Sequence, residues 1–136
     1  MITTGEIGNI MFRDCVKAFP GIEVVKYHNI MEGEIKAERI AIIVKPTNST
    51  TYWHETSIEV NLCVPKLPNG EAHTTRLTEL ESAAIALLGG DGRKISGEWS
   101  NEFYSYLIER RSYEEDKEMG VFFVNLHIIF KQLNTN

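Results

Sequence analysis

Apolar residues recur at helical spacing between Thr4 and Phe19, where Ile7, Met11, Cys15 and Ala18 form a stripe widened by Ile10, Phe12 and Val16. Pro20-Gly21 ends the pattern. The spacing then shortens. Ile22 to His28 reads as a short strand, Asn29 to Gly33 as a turn, and Lys36 to Lys45 as a strand centred on Ile40-Ala41-Ile42-Ile43-Val44. Pro46 is expected to end that strand, with Thr47 to Thr51 a polar loop. The clearest alternation follows in Thr56 to Val64, where Ile58, Val60, Leu62 and Val64 interleave with Ser57, Glu59, Asn61 and Cys63. Period two is the mark of a strand buried on one face.

Pro65 closes that strand, Pro68-Asn69-Gly70 makes a turn, and helical spacing returns from Glu71 to Leu88. Leu77, Leu80, Ala84, Leu87 and Leu88 form its apolar face, and Gly89-Gly90 stops it. Beyond the Gly89-Gly90-Asp91-Gly92 loop, Glu102 to Arg111 reads as a strand with Phe103, Ser105, Leu107 and Glu109 opposite Tyr104, Tyr106 and Ile108. The charged run Glu114 to Glu118 is expected to be a solvated hairpin loop. In Val121 to Lys131, Phe122, Val124, Leu126, Ile128 and Phe130 face the core, and Val121, Phe123, Asn125, His127 and Ile129 point the other way. That second face is apolar enough to call for a cover of its own.

The resulting order is α-β-β-β-α-β-β. Short links between strands, with one long helical insertion, predict a single α+β domain: an antiparallel or mixed sheet of about five strands carrying two helices. A chain of 136 residues is one domain's worth. Its net charge of -5, with basic residues adjacent only at Arg93-Lys94 and Arg110-Arg111, speaks against a nucleic-acid groove. Cys15 and Cys63 lie in different elements without a CxxC spacing, as expected for a reduced intracellular protein. The amino end has no basic region followed by a long apolar run, and no stretch is long enough to span a bilayer, so a cytoplasmic protein without membrane contact is expected.

Catalytic chemistry finds little to stand on. His28, His54, His73 and His127 form no HxH or HxxxH pair, so no metal centre is predicted. The Gly89–Gly92 loop follows a helix rather than leading into one, so it cannot offer a phosphate the amides of a helix start. Carboxylates at Glu79/Glu81 and Glu114/Glu115/Asp116 belong to a helix face and a charged run. Acid–base work would need two carboxyls held in different environments of one cleft. A nucleophilic Cys63 with His127 as its base defines the enzyme or ligand-binding alternative, and needs a depressed thiol pKa in an exposed pocket. Neither an enzyme nor a cofactor is expected. What stands out is a set of aromatics near predicted loops and edges, Tyr52, Trp53, Trp99, Phe103, Tyr104 and Tyr106, which are candidates for a protein interface.

The order of elements resembles the small tail-terminator and head–tail joining proteins of long-tailed phages and prophages, the lambda-type terminators among them. The residues that carry the likeness are the amino-terminal helix, Arg39-Ile40-Ala41-Ile42-Ile43-Val44-Lys45-Pro46, the loop with Trp53, and Ile58-Glu59-Val60-Asn61-Leu62-Cys63-Val64-Pro65. The helix Arg76-Leu77-Thr78-Glu79-Leu80-Glu81 and the strand Val124-Asn125-Leu126-His127-Ile128-Ile129-Phe130 complete it. The resemblance implies a ring of identical subunits, usually a hexamer, that caps a tail tube, meets the head connector and ends in the virion. Such a ring needs two different adhesive surfaces on each subunit. The loop Thr47 to Glu55 and the hairpin Tyr113 to Gly120 are the positions expected to supply them.

Overall fold

A computed structural model describes residues 1–26 and 35–134. They form α1 (Thr4–Ala18), β1 (Glu23–Lys26), β2 (Arg39–Ser49), β3 (Trp53–Pro65), α2 (Thr74–Leu87), β4 (Ile95–Trp99), β5 (Glu102–Asp116) and β6 (Val121–Leu133). One six-stranded sheet runs β1-β2-β3-β6-β5-β4. β1 is parallel to β2 and every other pairing is antiparallel, so the sheet is mixed. The end of the predicted first strand, through His28, and the turn Asn29 to Gly33 lie outside the described residues.

Both helices lie on one face of the sheet. The central ladder joins β3 to β6 without a register break from Trp53↔Leu133 to Pro65↔Val121. Ile58, Val60, Leu62, Val124, Leu126, Ile128 and Phe130 therefore line one face and meet Ile7, Ile10, Met11, Cys15, Leu77, Leu80 and Ala84. Thr3 begins α1 with a capping box: Glu6 N donates to Thr3 Oγ1 at 3.2 Å, and Thr3 N donates to Glu6 Oε1 at 3.0 Å. At the start of α2 the ring of His73 takes the cap, with Nδ1 accepting from Arg76 N at 3.4 Å. Phe12 and Val16 on α1 and Leu87 on α2, expected on the buried stripes, face out instead.

Several elements depart from the sequence pattern, among them β3, which begins at Trp53 rather than Thr56. β2 continues through Pro46 to Ser49 by way of a bulge between Val44 and Thr47, which absorbs the proline's missing donor. Ile95–Trp99 forms a sixth strand that the apolar pattern does not announce. β5 extends to Asp116, taking in three of the five residues of the charged run expected to be loop, and Lys117 to Gly120 make the turn.

The outer side of β5 is covered unevenly. β4 pairs with Glu102 to Tyr106, and Gly89 O then accepts from Ile108 N at 2.9 Å. Past Ile108, no strand among the described residues pairs with that side. Gly89 makes the close approach possible. Its φ is +86°, and a Cβ there would stand 2.9 Å from Arg93 O and 3.1 Å from Leu107 Cα. Gly89→Ala is expected to cost about 1–3 kcal/mol through backbone strain and this clash, visible as a lower urea midpoint with an unchanged slope.

Candidate protein-interaction surface

The helix-free face of the sheet presents side chains in rows across β3, β6 and β5. The row nearest the β2–β3 turn is apolar. Trp53 pairs with Leu133, and Tyr104↔Gln132 in the neighbouring ladder brings Phe103 beside Leu133. The three line one shallow hollow of about 200 Å³. Trp53 is 40% exposed, Leu133 58% and Phe103 71%, while Tyr52 on the adjoining turn is 73% exposed. The turn is held by Thr50 N donating to Trp53 O at 2.7 Å and Asn134 N donating to Tyr52 O at 2.8 Å. Contiguous exposed apolar side chains on a rigid sheet are the ordinary mark of a surface that another molecule covers.

Polar and apolar rows then alternate along the same face. Lys131 Nζ stands 3.3 Å from Glu55 Oε1 and 5.8 Å from the centre of the Trp53 ring. Leu107 and Ile129 next floor a hollow of about 180 Å³ rimmed by Glu55, Lys94, Glu109 and Lys131. His127 follows, with Nδ1 2.9 Å from Glu59 Oε1 and Nε2 3.9 Å from Glu109 Oε1. At the far end of the face, Ile35, Cys63 and Val121 make a small second core flanked by Met119 and Phe123. That cluster supplies part of the cover expected for the second face of β6.

Of the six aromatics singled out from sequence, the structure brings Tyr52, Trp53 and Phe103 together and moves the others elsewhere. Tyr104 and Tyr106, at 5% and 1% exposure, stack on Phe130 in the domain's own core. They are corrected from interface to core. Tyr106 Oη donates to Asp14 Oδ2 at 2.6 Å, and burial together with that carboxylate raises its pKa. Arg13 Nη2 donates to Tyr104 Oη at 2.9 Å. These groups floor an open cleft of about 430 Å³ between α1 and β4, with Lys17, Ser96 and Glu98 at its rim. Trp99 is half-buried, and its Nε1 donates to Glu6 Oε2 at 2.8 Å. Leu133 is the member of the apolar row that the sequence reading missed. The alternation Ile129, Lys131, Leu133 carries the signal, two residues beyond where the strand was expected to stop.

Cys63 and His127 are not brought together. Cys63 pairs with Phe123 and His127 with Glu59, four ladder positions away, or roughly 13 Å at the usual strand rise. Burial pushes the Cys63 thiol up to about 12, the reverse of an activated nucleophile. Cys15 is likewise buried and raised to about 12. His54 is buried with Nδ1 2.6 Å from Ser49 Oγ, and His73 caps α2. Among the described residues no group of His, Cys, Asp and Glu is placed to hold a metal ion, and no helix is long and apolar enough to cross a membrane.

Two substitutions separate core from surface. Tyr106→Phe leaves Asp14 without its buried donor and is expected to cost about 1–3 kcal/mol. Phe103→Ser should stay within about 0.5 kcal/mol, with both read from urea unfolding. A pH series tests the tie between Glu6 and its neighbours. Hydrogen bonds from the Thr3 backbone first, then from Trp99 and the Thr3 hydroxyl, hold the Glu6 carboxyl below its ordinary 4.5. A depressed acid stabilises the fold fully above its unfolded value and loses that contribution as pH falls through the folded one. Glu6→Gln should therefore lower the melting temperature at neutral pH, and the gap to the parent should close as pH drops below 4.5.

No family model matches this chain, and no curated protein matches it either.

Proposed function

We propose that the chain is a structural subunit of a phage or prophage particle, a tail-terminator or head–tail joining protein that works through contact rather than turnover. The observation that carries this reading is the exposed row Trp53–Leu133–Phe103 with Tyr52 beside it. An aromatic-rich patch at one end of a stiff sheet suits a permanent protein contact. The order of elements described above supports the same reading. In this role the subunit joins copies of itself into a ring, with a hexamer the expected size, and that ring meets the tail tube and the head connector. The protein acts in the host cytoplasm during assembly and then in the neck of the virion. It takes no cofactor and makes no direct contact with nucleic acid.

Sizing over a concentration series, alone and with the tail-tube protein encoded beside its gene, tests the proposal. Assembly into ring-sized particles is expected. Trp53→Ser combined with Phe103→Ser should weaken it by roughly 30-fold or more, the equivalent of the ~2 kcal/mol an interface anchor carries. A chain that stays unassembled even beside tail tubes, in a genome with no tail-tube or portal gene nearby, would overturn the reading.

A further inference from the structure

The free edge of β5 carries a charge pattern with an order of its own. From Glu109 the strand and turn read Glu109-Arg110-Arg111-Ser112-Tyr113-Glu114-Glu115-Asp116-Lys117. Glu109 to Glu115 are all exposed, and the outer side of this stretch has no strand partner among the described residues. Exposed edges invite pairing unless their side chains oppose it. Here basic residues precede acidic ones, so the strand is complementary to its own reverse.

We propose that this edge pairs antiparallel with the same edge of a second copy of the chain, centred on Tyr113. Symmetry and parity fix the register. A two-fold axis normal to the sheet leaves each side chain on its own face, so facing residues must sit an even number of positions apart and the central residue must face itself. With Tyr113 at the centre, Arg111 meets Glu115 on the helix-covered face. On the other face Arg110 meets Asp116 and Ser112 meets Glu114. Glu109, at the bulge between Ile108 and Arg110, comes opposite Lys117. Every charged pair is of opposite sign. The neighbouring registers fail this test: centring on Ser112 sets Glu109 against Glu115, and centring on Glu114 sets Arg111 against Lys117 and Glu114 against itself. Like charges directly opposite destabilise a ladder, and opposite charges each add roughly 0.2–1 kcal/mol.

The contacts these side chains make within the chain leave room for the partner. Arg111 Nε donates to Glu81 Oε2 at 3.0 Å and Tyr113 Oη donates to Glu81 Oε1 at 3.0 Å. Lys66 Nζ donates to Glu115 Oε2 at 2.6 Å, and Asp116 Oδ1 accepts from Met119 N at 3.0 Å. Each carboxylate keeps acceptor sites and the guanidinium keeps donors. The pairing stands apart from the function proposed above. A two-fold contact of this kind closes at two copies, whereas the ring contact is heterologous.

Two charge variants test it. R110E/R111E sets acidic residues against Glu115 and Asp116 of the second copy, and E115K/D116K sets basic residues against its Arg110 and Arg111. The parent is expected to run as a dimer in sedimentation at high concentration. Each variant alone should dissociate at least tenfold more readily. An equimolar mixture should restore the dimer, because each substituted position then meets an opposite charge. Circular dichroism checks that both variants fold. A second measurement does not depend on them: oxidised Y113C should form a cross-linked dimer faster than S112C, with Cys15 and Cys63 buried and silent. A parent that is monomeric at its highest soluble concentration would overturn the pairing. So would variants that dimerise alone as well as the parent, or S112C cross-linking as fast as Y113C. Loss of the dimer in either charge variant with ring assembly intact is the expected result for two separate contacts, whereas a parent that dimerises but never forms rings would sink the proposed function and leave the edge pairing standing.

Discussion

Everything in this domain hangs on the register between β3 and β6. Thirteen-residue strands pair along their whole length without a bulge, at the centre of the sheet. Because side chains alternate strictly, that single register decides which residues face the helices and which face away. Slipping it by one position would carry Ile58, Val60 and Leu62 out of the core and bring Glu59 and Asn61 in. The bulges in the sheet fall elsewhere, in β2 between Val44 and Thr47 and in β5 between Ile108 and Arg110. Irregularity is kept to the neighbours, where local twist re-aims side chains without disturbing the centre.

The two faces created by this register do different things. On the helix side, apolar residues close around Phe130, and the polar atoms that enter are paired, as Tyr106 is with Asp14. The other side alternates ionic and apolar rows, from the exposed Trp53–Leu133–Phe103 row to the small core around Cys63. Exposed aromatics there cost solubility unless another surface covers them. The Cys63–His127 pair of the enzyme alternative is not formed, since the thiol is buried and the imidazole lies well along the ladder.

Most of the architecture was legible wherever burial leaves a period. The α+β class, both helices and the clear alternation in β3 and β6 all appear as spacing of apolar residues. The misses share a cause. β4 is five residues long and offers only Ile95 and Trp99 as apolar markers. The far half of β5 is exposed on both faces, so Arg110 to Asp116 has no burial pattern to show. Pro46 reads as a strand end because the bulge that accommodates it depends on β3. For the site, sequence found Tyr52, Trp53 and Phe103 but could not tell them from Tyr104 and Tyr106. Phe103 and Tyr104 lie on opposite faces of one strand, and only the placement of Asp14, Arg13 and Phe130 decides which face is covered.

The place of β6 also bears on how the chain can reach this state. It is one of the two central strands of the sheet, lying between β3 and β5, yet it follows both in the chain. Gln132 on this strand accepts from Ile2 N at 2.7 Å and donates to Ile2 O at 2.8 Å, tying the first residues to almost the last. During synthesis, β3 and β5 are therefore finished while the strand that joins them is still missing. At that stage β3 and β5 both lack the partner that lies between them in the finished sheet. Folding of the whole must come late and nearly at once, and until then a chaperone or a neighbouring nascent chain competes for the gap that β6 will fill.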